Sequence, residues 1–236
     1  MQATHTLLSG ETVVLDAPYD VESGYATNFL TVAIGMQRFQ ELKSGALPFA
    51  EAVARQVVGV LVFDEEYEYK GGRLRMGSAV EVDPVSNNVQ TRRSAVWEGT
   101  AFSLNTNIYE GHSADLVAIL DEFEFHEREN GLELEIKQPE VTRANRRLHS
   151  PRFVKEPNTL GLIAAMERTR NSEYRVPRWA GKSVRGGELY KTEPPGESVR
   201  FLLVGPSSIT EIIPDPSAAP EAVAEDAANL VVQWNR

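Results

Sequence analysis

Short runs in which every second residue is apolar recur along this chain, each bounded by Gly, Pro, Asn or Asp, and that spacing predicts strands. Glu11 to Asp16 is one, stopped by Ala17-Pro18-Tyr19. Asn28 to Met36 (NFLTVAIGM) is apolar nearly throughout, as a strand covered on both faces would be. Pro48 opens a short helix over Phe49–Gln56, with Phe49, Val53 and Val57 on one side, and the apolar run Val57–Phe63 predicts a central strand.

Hairpins dominate the middle of the chain. Tyr67 and Tyr69 lead into Gly71-Gly72, and Leu74 and Met76 lead out, which predicts a two-residue hairpin. Ala79–Val82 is a further strand, closed by Asp83-Pro84, and Gln90–Leu104 supplies one or two more, bent near Gly99. Ser113 caps one or two helical turns to Leu120. Glu122–Glu127 alternates through Phe123 and Phe125, Asn130-Gly131 turns the chain, and Leu132, Leu134 and Ile136 alternate on the return. A helix is predicted over Thr159–Arg168 from the stripe Leu160, Ile163 and Ala164. Glu188–Thr192 and Ser198–Val204 form the last strand pair, turned by Pro194-Pro195-Gly196.

Many short strands with two or three brief helices predict a mainly β protein: an antiparallel β-sandwich or jelly-roll barrel over residues 1–213. Pro214, Pro216 and Pro220 in an Ala-rich acidic stretch then predict a C-terminal arm, 214–236. The arm ends in the apolar piece Leu230–Val232 with Trp234, expected to dock onto another subunit. No internal repeat is visible, and the long amphipathic helices of a parallel α/β fold are missing from the pattern.

Composition narrows the classes. There is no cysteine, which excludes disulfides, thiol catalysis and thiolate metal sites. The first residues lack both a basic leader and a long apolar core, so no secretory signal is expected. The run Val57–Phe63 falls far short of the roughly 20 residues that span a bilayer. Eighteen arginines stand against six lysines, within a net charge of −10. Guanidinium suits planar, salt-tolerant pairing, and with the acidity it is compatible with a high-salt host.

The charge is segregated along the sequence. Residues 143–185 hold eleven basic side chains against three acidic ones, a net of +8. The rest holds thirteen against 31, a net of −18. Two complementary regions in one molecule suit association with a neighbouring copy or a second shell protein. The candidate contact residues are Arg143, Arg146, Arg147, Arg152, Arg175, Arg178 and Arg185, with Trp234. An anionic membrane is also compatible with the basic stretch. Nucleic acid is disfavoured, because the nearby aromatics Phe153, Tyr174 and Trp179 are sparse and the remaining −18 repels phosphate. An intramolecular salt-bridge network is the plain alternative.

Catalytic and metal motifs do not emerge. His5, His112, His126 and His149 show no helical metal spacing, so no metal or cofactor is expected. Gly181-Lys182-Ser183 lacks the leading glycine of a phosphate loop, Val176 standing in its place. The carboxylates Asp64-Glu65-Glu66 and Asp121-Glu122 look like charged surface.

Short strands from Thr12 through Val204, arginine preference, acidity, absence of cysteine and the tail Pro214–Arg236 together resemble the major capsid proteins of internal-membrane icosahedral viruses of halophilic archaea and related thermophilic phages. The resemblance implies a single vertical jelly-roll, a structural role in a symmetric shell, a place in the virion after assembly in the host cytoplasm, and no cofactor. The rival class is a non-catalytic binding module, such as a carbohydrate-binding sandwich or a phage tail component. A sandwich hydrolase comes third, and no enzymatic activity is expected.

Overall fold

A computed structural model describes residues 1–34, 38–82, 87–137, 148–156, 160–193 and 198–236. Among them are seventeen strands, in two antiparallel sheets, and three short α-helices, so the chain is mainly β and sandwich-like as the alternation predicts. It divides into two compact units.

The first unit comprises Met1–Leu7, Glu11–Asn28 and Ser150–Arg236. In it β1 (Gln2–Thr6) pairs with β2 (Thr12–Asp16), and β2 pairs on its other edge with the C-terminal strand β17 (Val231–Asn235). Val13 lies opposite His5 and Trp234, and Leu15 lies opposite Ala3 and Val232, so these six residues share one face. A second ladder runs β13 (Lys182–Val184), β14 (Gly187–Thr192), β15 (Arg200–Val204), β16 (Ser208–Ile213), β12 (Leu162–Glu167), β11 (Leu148–Lys155). Its inward rows are Phe153–Ala165–Thr210–Leu203–Leu189 and Ile163–Ile212–Phe201. Both inward faces share one apolar core. An α-helix with Pro220 in its first turn, Pro220–Asn229, closes that core with Val223 and Ala227 at i, i+4.

Two expectations are corrected by the first unit. Residues 162–167 form β12 and not a helix: Ile163 and Ala165 are buried while Leu162, Ala164 and Met166 are half-buried on the other face, and apolar residues on both faces mimic a helical stripe. Segment 214–236 is no arm. Its strand completes a sheet, and Trp234 is 4% exposed in the core, donating from Nε1 to Glu11 Oε2 at 3.0 Å. The prolines sit before and at the start of the helix, where missing N–H groups cost nothing.

The second unit comprises Leu8–Gly10 and Phe29–His149, the longer stretch beginning within β3 (Ala26–Ile34). Its ladder runs β4 (Arg38–Ala46), β8 (Phe102–Tyr109), β7 (Val89–Glu98), β6 (Gly72–Val82), β5 (Phe63–Tyr69). One face carries Leu74, Met76, Ala95, Trp97 and Leu104. It is packed with α2 (Ser113–Leu120) and the hairpin β9 (Phe123–Arg128), β10 (Gly131–Ile136) through Leu116, Leu120, Phe123, Leu132 and Leu134. The opposite face meets α1 (Phe49–Ala52) and the π-helical turn Val53–Val58, where Ala50, Ala54, Val58 and Val60 lie against Ala79 and Val96.

The β5–β6 hairpin has Tyr69 opposite Gly72, so its two-residue loop is Lys70-Gly71, both at positive φ (49° and 74°) as a type I′ turn requires. In the β9–β10 hairpin the loop is Glu129-Asn130, one residue earlier than expected. Val57–Phe63 is not a central strand: the strand begins at Phe63, and Leu61 is 84% exposed. An apolar run without alternation does not say which of its residues are inside.

Candidate functional site

Among the described residues, three places gather charged or exposed apolar side chains enough to interact with something.

In the first unit the loop between β12 and β13 is a built structure. Arg168 donates from Nε to Glu173 at 2.7 Å and from Nη1 to the Gly205 carbonyl at 2.9 Å. The Thr169 N–H donates to Ser172 Oγ at 2.8 Å, and Ser172 Oγ donates to the Glu167 carbonyl at 3.1 Å. A 3₁₀ turn, Glu173–Arg175, comes next. These bonds hold the loop while its large side chains face water: Tyr174 is 79% and Trp179 60% exposed. Arg175 lies over the Tyr174 ring, and Arg170 and Arg178 are close to it in sequence.

Next to this loop, on the outer face of the six-stranded ladder, lies a cavity of about 310 Å³. Arg152, Arg175 and Arg200 line it with Glu211, over a floor that includes Ala164, Met166 and Leu202.

In the second unit a more open recess of about 620 Å³ is lined by Asp64, Glu65, Ser78, Arg93, Glu110 and His112, among others. Arg93 is buried and donates to Asp64 at 2.8 Å, to Glu65 at 2.6 Å, and to Ser78 and Ser113. The Arg93 hydrogen bond holds the Asp64 carboxyl below its ordinary value. The lining carries three carboxylates against one guanidinium, a net of −2. Along β6 the row Leu74, Met76, Ser78, Val80, Val82 lies on one face, core at its start and bare at its end: Val80 is 70% and Val82 56% exposed. Val89, opposite Val82, is 67% exposed. The recess and this valine strip share a face.

Elsewhere in that unit the buried charges have structural partners. Arg75 donates to Glu51 at 2.8 Å and Glu98 at 2.7 Å. Its hydrogen bond, then that of Arg55, pulls Glu51 down to about 2. Burial opposes ionisation of Glu127, but the N–H groups of Ala101, Thr100 and Phe102 at 2.8–2.9 Å more than offset it and hold the carboxyl below its usual value. His126 meets Glu135 across the hairpin at 3.1 Å. Among the described residues no group of three or more His, Asp or Glu is placed to hold a metal ion, and no helix is long and apolar enough to cross a membrane.

The predicted contact residues are therefore scattered. Arg152 and Arg175 come together at the cavity, and Arg178 lies on the exposed loop. Arg185 is engaged within its own protomer by Asp16 and by the Asn229 carbonyl, at 3.1 Å. Trp234 is in the core, not at a surface. Arg143, Arg146 and Arg147 lie outside the described residues. Charge that is segregated along the sequence is not segregated by unit: the first holds eleven basic and fifteen acidic side chains (−4), the second thirteen and nineteen (−6). The contrast survives locally, at the cavity and the recess. Arg93, Arg200 and the valine strip escape a reading of the sequence because each stands in an ordinary strand, and only the register gives each its own neighbours, Arg200 at the cavity and Arg93 with the valines at the recess.

Compared with protein families, with curated proteins and with solved structures, the chain finds no significant match.

Proposed function

We propose that this chain is a non-catalytic structural subunit that associates head to tail with copies of itself into a closed shell, as a virus capsid protein does. The observation that carries the reading is a pair of unlike exposed surfaces on one chain. The loop with Tyr174, Arg178 and Trp179 is cationic and aromatic, and the strip Val80, Val82 and Val89 is apolar and continues into a recess of net charge −2. Aromatic and arginine side chains anchor interfaces, and an apolar strip rimmed by carboxylates complements them. A contact between unlike patches is heterologous, so it propagates until rotation closes a ring or shell. The recess also favours structure over chemistry, since Asp64 is held ionised by Arg93 and is a poor proton donor.

The test is light scattering coupled to size exclusion at low and moderate salt. Wild type is expected to form species larger than a monomer. Trp179→Ala with Arg178→Glu removes one patch, and Val80→Asp with Val89→Asp removes the other. Each variant should be monomeric, and an equimolar mixture should stop at a dimer, because each retains one intact patch. Wild type that stays monomeric, or variants that assemble like it, would overturn the proposal.

A further inference from the structure

Val80 and Val82 carry an open sheet edge as well as exposed side chains. The β5–β6 hairpin closes on Tyr69 and Gly72, so Gly72 and every second residue after it turn their N–H and C=O away from β7. The next strand agrees. Thr91, opposite Val80, directs both main-chain groups to Glu110: its C=O accepts from the Glu110 N–H, and its N–H donates to Oε1 at 2.7 Å. Neither group is left for Val80. β5 covers β6 only as far as Gly77. Beyond it, Val80–Val82 is exposed, and the outward main-chain groups of Val80 and Val82 meet no partner among the described residues. A bare apolar edge is a template for another strand.

The first unit presents an equally short edge. β13 ends its ladder and pairs with β14 alone. Its hairpin closes on Val184 and Gly187, which leaves the Ser183 N–H and C=O outward, again with no partner among the described residues. Lys182 and Ser183 are exposed. Trp179 stands three residues before Lys182, so the cationic aromatic loop and this edge are one continuous segment.

We infer that β13 of a neighbouring copy adds to the open edge of β6, antiparallel, with Ser183 opposite Val80. That register exchanges two main-chain hydrogen bonds, sets Lys182 opposite Glu81 and sets Val184 opposite Ala79. Glu81 already meets Arg92 at 3.2 Å but stays 45% exposed, open to a second cation. Opposite charges and paired apolar residues are the favourable cross-strand combinations. Other pairings fit worse. Two β6 edges joined over Val80–Val82 set Glu81 opposite its own counterpart. On β5, whose outward residues are Glu66 and Glu68, the same strand would set Lys182 opposite Tyr67 or Tyr69. The inference rests on the assembly proposed above and says how its two patches join, through main-chain pairing of one copy with the next.

The experiment uses the two-component dimer of full-length chains. Arg178→Glu with Trp179→Ala is the partner with an intact β6 edge, and Val80→Asp with Val89→Asp is the partner with an intact β13. Sedimentation velocity gives the dissociation constant. Glu81→Lys added to the first partner, or Lys182→Glu added to the second, is expected to weaken the dimer about fivefold, and the two together to restore it. Ser183→Pro on the second partner removes the outward N–H and should weaken the dimer about tenfold, with its melting temperature unchanged. Should Glu81→Lys lower the melting temperature through Arg92, Lys182→Glu and Ser183→Pro decide the matter. A dimer unaffected by Lys182→Glu or by Ser183→Pro overturns the pairing and leaves the two-patch contact standing. So does a combined reversal no tighter than the single ones when melting is unchanged. Failure of the starting pair to dimerise overturns the two-patch contact itself, and this inference with it.

Discussion

His5 stacks on Phe153 with ring centroids 4.8 Å apart and planes tilted by 33°, and its Nε2 is buried without a hydrogen-bond partner among the described residues. Burial first, and then the charge of Lys155, lowers its pKa from 6.5 to about 4. Lys155 itself is 1% exposed and donates to the Glu22 carbonyl at 2.9 Å, with Asp20 and Glu22 the nearby acids.

Stability should therefore depend on pH. The unfolded chain protonates His5 as pH falls through 6.5, and the folded chain does so only near 4. The associated stability is complete above 6.5, declines between 6.5 and 4, and is constant below. Its full size is about 3 kcal/mol. Urea unfolding at a series of pH values should show that decline in wild type and not in His5→Gln. An equal slope in the variant would discard this role for His5.

Arg75 is 8% exposed and bridges Glu51 and Glu98. Arg75→Ala should cost about 2–3 kcal/mol in denaturant unfolding, because Glu98 keeps only the more exposed Arg73, at 2.6 Å, and part of its charge is left uncompensated. Arg75→Met combined with Glu98→Gln should cost much less. A single variant no worse than the double one would show that the uncompensated charge is not the source of the loss.

Trp234→Ala should cost about 3–5 kcal/mol, as for other large buried aromatics. Truncation after Ile213 removes both the closing helix and β17, uncovering Val13 and Leu15, and should leave the first unit unfolded to limited proteolysis. A truncated chain as protease-resistant as wild type would mean that β17 is dispensable.

Gly187 has φ 138°, and a Cβ there would stand 2.1 Å from the Val204 carbonyl oxygen. Gly187→Ala should destabilise by about 2 kcal/mol or more. Gly71 also has positive φ, 74°, but open space around it, so Gly71→Asn should cost less than about 1 kcal/mol. Comparable thermal shifts in the two variants would rule out the steric cause.

The hairpins around Lys70-Gly71 and Glu129-Asn130 were legible because the pattern and the turn lie within a dozen residues of each other. Helix α2 was legible for the same reason. The strand 162–167 was not, since Leu162 to Met166 is apolar on both faces and either period fits it. Of the site, Arg152 and Arg175 were picked out by their place in a basic stretch, whereas Arg200 and Glu211 belong to strands that meet them only through register.

Local order thus comes from the residues themselves: alternation, turn chemistry and caps act over a few positions, and they specify a mainly β chain with short helices. Partner choice does not. Trp234 reaches Glu11 across 223 positions, and nothing near either residue marks the other. Closing so long a loop costs little more than closing a short one, so sequence separation scarcely restricts the pairing, and burial of the shared core selects it. The same core, by setting which strands are neighbours, places three arginines around one cavity.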